Sequence, residues 1–356
     1  MSWHRGKMIP FQIYKKLYTS LKEHRTVEGK LTRHLRVILG EKYIVKQPKR
    51  WTNPLDYAQK NFFSILFLAV YRAIGISPEA RHYYGMLNHC LRGIVTGADN
   101  ILDDEYKELL PLAFPESAIR FKSVMHILLF DRFIVRITED MKKNGMLNDV
   151  EPSLLQQKLF DALVPIGAEE AQEEGGVSRI LSPAEVLSTV HMYKGGKLLC
   201  LAFVAPPLLE HSFQKELQCA EKGIYSIGIA LQLIDDLTDF YEDISHVNHN
   251  YLVSSISYRG SAAEQAALQK TLDRKTNDLP AIENQYRDSV ALVVEEAIGE
   301  ALYGFEMLEQ AGFWVDRKQA YDLIKNLFIL RGVKNLLPFF PPQQNIHLTV
   351  STPAAI

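Results

Sequence analysis

An all-α chain is predicted, and three observations carry that prediction. Apolar residues recur at helical spacing almost throughout the 356 residues, alternating strand-like runs bounded by turn residues are scarce, and several prolines stand near helix starts. At 47% hydrophobic and 23% charged, the chain can bury a sizeable core and is neither disordered nor fibrous.

The elements follow in order. One or two short basic helices fill the first 40 residues, and "KQPKRWTNP" (46–54) reads as the linker to the body. Helices are expected near 55–74 and 79–104, with Pro54 and Pro78 at their starts, where a missing backbone donor does no harm. Others are expected near 117–143 and near 152–168, the latter opened by Pro152. The acidic, Gly-containing "EEAQEEGGVS" (169–178) reads as a loop. Pro183 opens a helix near 183–209 that Pro206 and Pro207 end, and helices near 213–242, 262–280, 283–311 and 317–336 complete the bundle. The proline-rich tail is expected to be irregular, and no internal repeat has a fixed period. This divides the chain into a basic extension (1–50), a helical domain (51–340) and a tail (341–356).

The net charge of -2 and pI near 6.6 argue against a dedicated nucleic-acid surface. That average hides an asymmetry: residues 1–50 hold thirteen Lys or Arg against Glu23, Glu28 and Glu41, near +10, which leaves about -12 for the rest. Such an arm, with Phe11, Ile13, Tyr14, Leu17, Tyr18 and Leu21, fits either a solvated helix packed on the body or a peripheral contact with an anionic membrane. Cys90, Cys200 and Cys219 have no metal-like spacing and read as reduced thiols of a cytoplasmic protein. No secretory signal is visible, and the apolar runs are too short to span a bilayer.

The chemistry concentrates in two acidic stretches. In "LQLIDDLTDFYEDI" (231–244), a step of four places Asp235, Asp239 and Asp243 on one side of a helix, flanked by Asp236. Aligned anions repel one another and call for a cation. "GADNILDDEYKE" (97–108) offers a second line, Asp99 and Asp103, beside Asn100, Asp104 and Glu105. Hard oxygen ligands without His or Cys select Mg2+, which bridges carboxylates to substrate phosphates, so a diphosphate is the expected partner. A calcium loop is disfavoured, because Asp104 stands where its glycine belongs and Leu110 where its terminal Glu belongs.

At these residues the chain resembles the trans-isoprenyl diphosphate synthases of the class I isoprenoid synthase superfamily. Gln232, Asp235, Asp236, Asp239 and Asp243 match that family's second aspartate-rich motif, with Leu231 where Phe is usual. "DNILD" (99–103) resembles the first, DDxxD, with Asn100 in place of its second Asp, and "HMYKGGKLLCLAF" (191–203) resembles the segment whose lysine binds the allylic diphosphate. The order and spacing match over residues 60–260. The resemblance implies an isoprenoid synthase fold, a bundle of about ten helices around a deep central cavity. It also implies a homodimer and a cluster of about three Mg2+ ions that bind the diphosphate of an allylic prenyl substrate. Metal ligands would come from Asp99, Asp103, Asp104, Asp235, Asp236, Asp239 and Asp243, with Asp99, Asp103, Asp235 and Asp239 central to catalysis.

Lys194 and Lys197 are both candidates for the diphosphate lysine, since "KGGK" aligns either way, and Gly195 and Gly196 fit either a helix break or an ordinary kink. Gln232, Lys107 and Arg331 are further substrate-binding candidates. Val95 and Ile94, four and five residues before Asp99, stand where bulky aromatics limit chain length in relatives, so a substrate of fifteen or more carbons fits. Phe62, Phe63 and Phe67 are core residues or walls able to stabilise a cation, and His249 and Asn250 read as a turn.

The chain also departs from the resemblance. The segment expected to carry Gly-Lys-Arg reads "QKNFFSILF" (59–67), with only Lys60 retained, and Glu108 and Leu109 stand where two arginines are expected. A second diphosphate would lack those partners. The expectation is therefore a terpene synthase that ionises one allylic diphosphate of C15 or longer to a carbocation that cyclises or loses a proton. A prenyltransferase condensing prenyl diphosphates and a non-catalytic partner subunit are the alternatives.

Overall fold

The computed structural model describes residues 11–46, 54–102, 106–273, 280–330 and 332–341. They are helical, and among them the only β pairing is an isolated antiparallel bridge between Ile44 and Leu112. No described helix is long and apolar enough to cross a membrane. The three cysteines are free thiols. The chain divides into two compact units, one of Tyr14–Asp161 with Leu201–Gln214, the other of Met1–Ile13, Ala162–Cys200 and Lys215–Ile356.

The basic arm is one continuous helix, Phe11–Leu39, rather than one or two short ones, and from Tyr14 onward it belongs to the first unit. Leu17, Leu21, Val27, Leu31 and Leu35 form its buried stripe, the spacing that lets a helix cover a core. Lys22, Arg25, Arg33 and Arg36 stay exposed. Two ion pairs pin the arm: Glu23 Oε1 lies 2.5 Å from both Arg72 and Arg81. Burial would raise the Glu23 carboxyl, but Arg81 and Arg72 overcome it and hold the group below its ordinary range.

The helix expected over 55–74 is two, Pro54–Lys60 and Phe62–Ile74, because the chain turns at Asn61. Helix Pro78–Leu102 packs on Ile119–Lys143 so tightly that a side chain at Gly93 would overlap the Phe130 ring. This close approach explains glycine in the middle of a helix, where it otherwise costs about 1 kcal/mol. Helix Glu151–Glu173 runs on through Pro165, so the first five residues of the expected acidic loop are helical.

In the second unit, the single helix expected over 183–209 is a succession of wider and tighter turns. Ser182 opens it with a capping box: its hydroxyl accepts from Glu185 N while Glu185 accepts from Ser182 N. Pro183–Glu185 leads into a π-helix, Val186–Lys197, and then Leu198–Cys200. Pro206 and Pro207 do not end a helix but stand in the first turn of Ala205–Leu209, which belongs to the first unit. The helix expected over 213–242 stops at Thr238, and Asp239 caps a second one, Phe240–His246. Asn250, expected in a turn, caps helix Tyr251–Arg259, its Oδ1 accepting from Val253 N at 3.1 Å. Helices Ala262–Asp273, Arg287–Gln310 and Arg317–Leu330 follow, and Lys334–Phe339 is a 3-10 turn at the edge of the proline-rich tail.

Candidate functional site

The acidic stretch of the second unit is built around its second aspartate. Asp236 is 4% exposed and accepts three hydrogen bonds: at Oδ2 from His191 Nε2 at 2.9 Å and Tyr251 N at 2.5 Å, and at Oδ1 from Gln232 Nε2 at 3.3 Å. Asn250 Nδ2 closes the network by donating to the Asp236 carbonyl at 2.7 Å and to Asp243 Oδ2 at 2.8 Å. One buried carboxylate thus ties together the π-helix, helix Gln214–Thr238 and the start of Tyr251–Arg259. A buried anion is tolerated only when satisfied in this way.

The break at Asp239 keeps the register of the acidic line. Asp239 N donates to Asp235 O and Asp243 N to Asp239 O, both at 2.8 Å, so helical spacing carries across the kink. Asp239 is exposed and Asp235 half-buried. Burial, with Asp236 and Asp239 adding to it and Asn250 opposing it, pushes the Asp243 carboxyl up to about 7. Among the described residues no three His, Cys, Asp or Glu side chains converge as a ready-made metal site. Mg2+ does not require one, because it keeps several waters and takes one or two carboxylates plus substrate oxygens. The hard-oxygen set of Asp235 and Asp239 fits that ion, and so does a neighbouring carboxyl whose charge the fold leaves unbalanced.

The same unit separates the two candidate lysines. In an α-helix a three-residue step would bring Lys194 and Lys197 together, but the wider π turn does not. Gly195 lies against Gly228 so closely that a Cβ on either would run into the other's carbonyl oxygen, and Gly196 faces the Tyr225 ring. These glycines therefore mark a crossing of two backbones and not a helix break. Lys194 stands on the motif's side of that crossing: Gly195 neighbours Gln232, and His249 feels the charges of Glu173, Lys194 and Asp236. Lys197 is turned to Glu221, fourteen residues and roughly 21 Å of helix before Asp235.

In the first unit, Asp99, Ile94 and Val95 are half-buried on helix Pro78–Leu102, and Lys107 is exposed. Asp103, Asp104 and Arg331 lie outside the described residues. Asn100, in place of the expected second aspartate, is 1% exposed. Its Oδ1 accepts from Lys107 N at 2.9 Å and its Nδ2 donates to Lys107 O at 3.2 Å. Phe62, Phe63, Phe67 and Phe203 form a chain of ring contacts 5.2–6.4 Å apart, with Phe62 and Phe63 half-buried.

One basic residue escaped the sequence reasoning. Arg92 Nη1 donates to Asn61 Oδ1 at 3.3 Å, and with Lys60 and Arg25 it surrounds Glu28. Burial lowers His24 to about 4 and His89 to about 3, with Arg92 adding to both. Both imidazoles are therefore neutral near pH 7, and the positive charge there is that of the arginines and Lys60. Arg92 was legible in principle, because seven residues before Asp99 is two helical turns and returns to the same side.

No family model matches the sequence, and no curated protein matches it. Solved structures do resemble it. A decaprenyl diphosphate synthase from Rhodobacter capsulatus aligns with a TM-score of 0.55 at 15% identity, covering 88% of this chain and 99% of its own. A geranylgeranyl pyrophosphate synthetase from the archaeon Geoglobus acetivorans gives 0.55 at 16%, covering 88% and 98%. An octaprenyl pyrophosphate synthase from Helicobacter pylori gives 0.56 at 14%, covering 85% and 98%. At such identities the likeness establishes architecture: this chain has the all-α fold of the isoprenoid synthases.

Proposed function

We propose that this chain is a Mg2+-dependent trans-prenyltransferase that joins an allylic prenyl diphosphate to a second isoprenoid diphosphate. The Asp236 network carries the proposal. It commits one buried carboxylate to fixing the backbone, which supports giving the metal-ligand role to Asp235 and Asp239 on either side. Bound Mg2+ would supply positive charge to the departing diphosphate oxygens. Asp99 and Asp103 are proposed as metal ligands of the first unit, with Asp104 beside them. Lys194 and Gln232 orient the allylic diphosphate, and the partly buried phenylalanine rings offer π faces to the cation left behind. Ile94 and Val95 leave room for a chain of fifteen or more carbons. Lys107 and Arg331 are proposed as outlying phosphate contacts.

The names of the structural neighbours favour condensation over the single-substrate ionisation expected from the sequence. Arg92 supplies what that expectation lacked, a second cation beside the retained Lys60 for a second diphosphate. Ionisation of one substrate stays as a second reading on a single observation: Glu108 and Leu109 still stand where arginines are expected. A homodimer belongs to the same proposal, and the exposed Lys22, Arg25, Arg33 and Arg36 support a peripheral membrane contact. Sedimentation and vesicle flotation test those two points.

The decisive experiment incubates the chain and Mg2+ with farnesyl or geranylgeranyl diphosphate, with and without isopentenyl diphosphate. Longer diphosphates formed only in the presence of isopentenyl diphosphate are expected. Hydrocarbons from the allylic substrate alone would establish the second reading. An absence of turnover in both arms would point to a non-catalytic subunit and overturn the proposal.

A further inference from the structure

Lys194, offered above to a diphosphate, is already held by carboxylates. Its Nζ lies 2.6 Å from Glu173 Oε2, and 3.3 Å and 3.2 Å from Glu170 Oε1 and Oε2. The Lys194 side chain is 16% exposed and that of Glu173 7%, against 40% for Glu170. Burial by itself would lower the ammonium, but Glu170 and Glu173 outweigh it and hold Lys194 above its ordinary range, fully charged. Glu169 is a third, buried carboxyl in the same turn of helix, raised by its burial and then by Glu173. Glu173 Oε1 is itself buried with no hydrogen-bond partner.

One ammonium therefore faces three acidic side chains, and its charge is spent locally before any ligand arrives. A bare diphosphate reaching Lys194 would bring its oxygens beside Glu170 and Glu173 and meet no net positive charge. A diphosphate already carrying divalent metal has little charge left to repel. The ammonium has three donors; two glutamates leave one for an oxygen of that complex.

We infer that Glu170 and Glu173 are specificity-determining residues, which deny Lys194 to metal-free diphosphate and leave it open to the metal-loaded form. This rests on the proposed function for the ligand's identity. It differs from a purely structural clamp, whose removal would weaken binding of every ligand. Here the removal adds a binding mode.

The test is calorimetric titration of the full chain with inorganic diphosphate, in MgCl2 and in EDTA. The wild type is expected to bind about tenfold or more weakly in EDTA. E170Q/E173Q is expected to gain metal-free binding of about tenfold, and K194Q added to it to abolish the gain. Because breaking a buried ion pair can unfold a protein, E170Q alone serves as the milder variant, with a smaller gain in the same direction. Metal-free binding that is unchanged or weaker in a folded E170Q/E173Q or E170Q overturns the inference, as does a wild type indifferent to Mg2+. A wild type that binds diphosphate in MgCl2 but turns over no prenyl diphosphate, while E170Q/E173Q gains metal-free binding, would instead sink the proposed function and leave the inference standing.

Discussion

The two acidic stretches have the same skeleton and different second residues. In one, the second position is Asp236, which accepts from His191, Tyr251 N and Gln232. In the other it is Asn100, which both accepts from and donates to the Lys107 backbone. Both are buried, at 4% and 1% exposure, while the first positions, Asp235 and Asp99, are half-buried. The difference teaches that the second position holds the backbone, with the residue type set by what its partners present. Three donors require a pure acceptor, an aspartate. A loop that presents one N–H and one C=O requires an amide.

The comparison breaks most severely at the proposed ligands. D235A and D239A are expected to lower kcat/KM for prenyl transfer by about a thousandfold, near 4 kcal/mol of transition-state stabilisation. For D239A chemical denaturation should find stability almost unchanged, since Asp239 is exposed. Retained activity in both variants would mean that neither residue is a ligand. D236A should do the reverse. It strands two buried donors, His191 Nε2 and Tyr251 N, together with the part-buried Gln232 amide, and should cost about 3 to 5 kcal/mol of stability, read as a lower denaturation midpoint with or without metal.

N100D sharpens the contrast, because it supplies the very residue the resemblance expects. A carboxylate cannot donate to the Lys107 carbonyl, so a loss of about 1 to 3 kcal/mol is expected, with no tightening of Mg2+ dependence. Improved Mg2+ affinity in N100D would make the second position a ligand after all.

Titration gives a subtler test. The Asp243 carboxyl is held up to about 7, against 3.8 for the ordinary group, by burial first. A raised pKa favours the protonated form in the fold. Its contribution to stability is thus full below about pH 4 and is lost as pH rises through about 7. Metal-free protein should lose stability across that window, and D243N should flatten the loss. An unaltered pH profile in D243N would remove Asp243 from the network's electrostatics. The smallest effect is expected at Val247, which ends helix Phe240–His246 with φ 61, the one non-glycine at positive φ among the described residues. A β-branched side chain is strained there, and V247G should stabilise the fold by about 1 kcal/mol, visible as a raised melting temperature.

By itself the sequence determined the helical class, most helix starts and the acidic residues, because periodicity, proline placement and charge spacing are local properties. Even Arg92 was within reach, two turns before Asp99. What lay beyond it depended on contacts distant in the chain. A satisfied Asp236 needs His191 from 45 residues away, so its burial could not be told from that of Asp235 one residue before. Lys194 and Lys197 look equivalent until the π turn and the Gly195–Gly228 crossing set one against Glu170 and Glu173 and the other near Glu221. Glu170 and Glu173, read as part of a loop, became the partners of Lys194 only because helix Glu151–Glu173 continues through Pro165. Spacing places a charge on a side of a helix; only packing decides which opposite charge meets it.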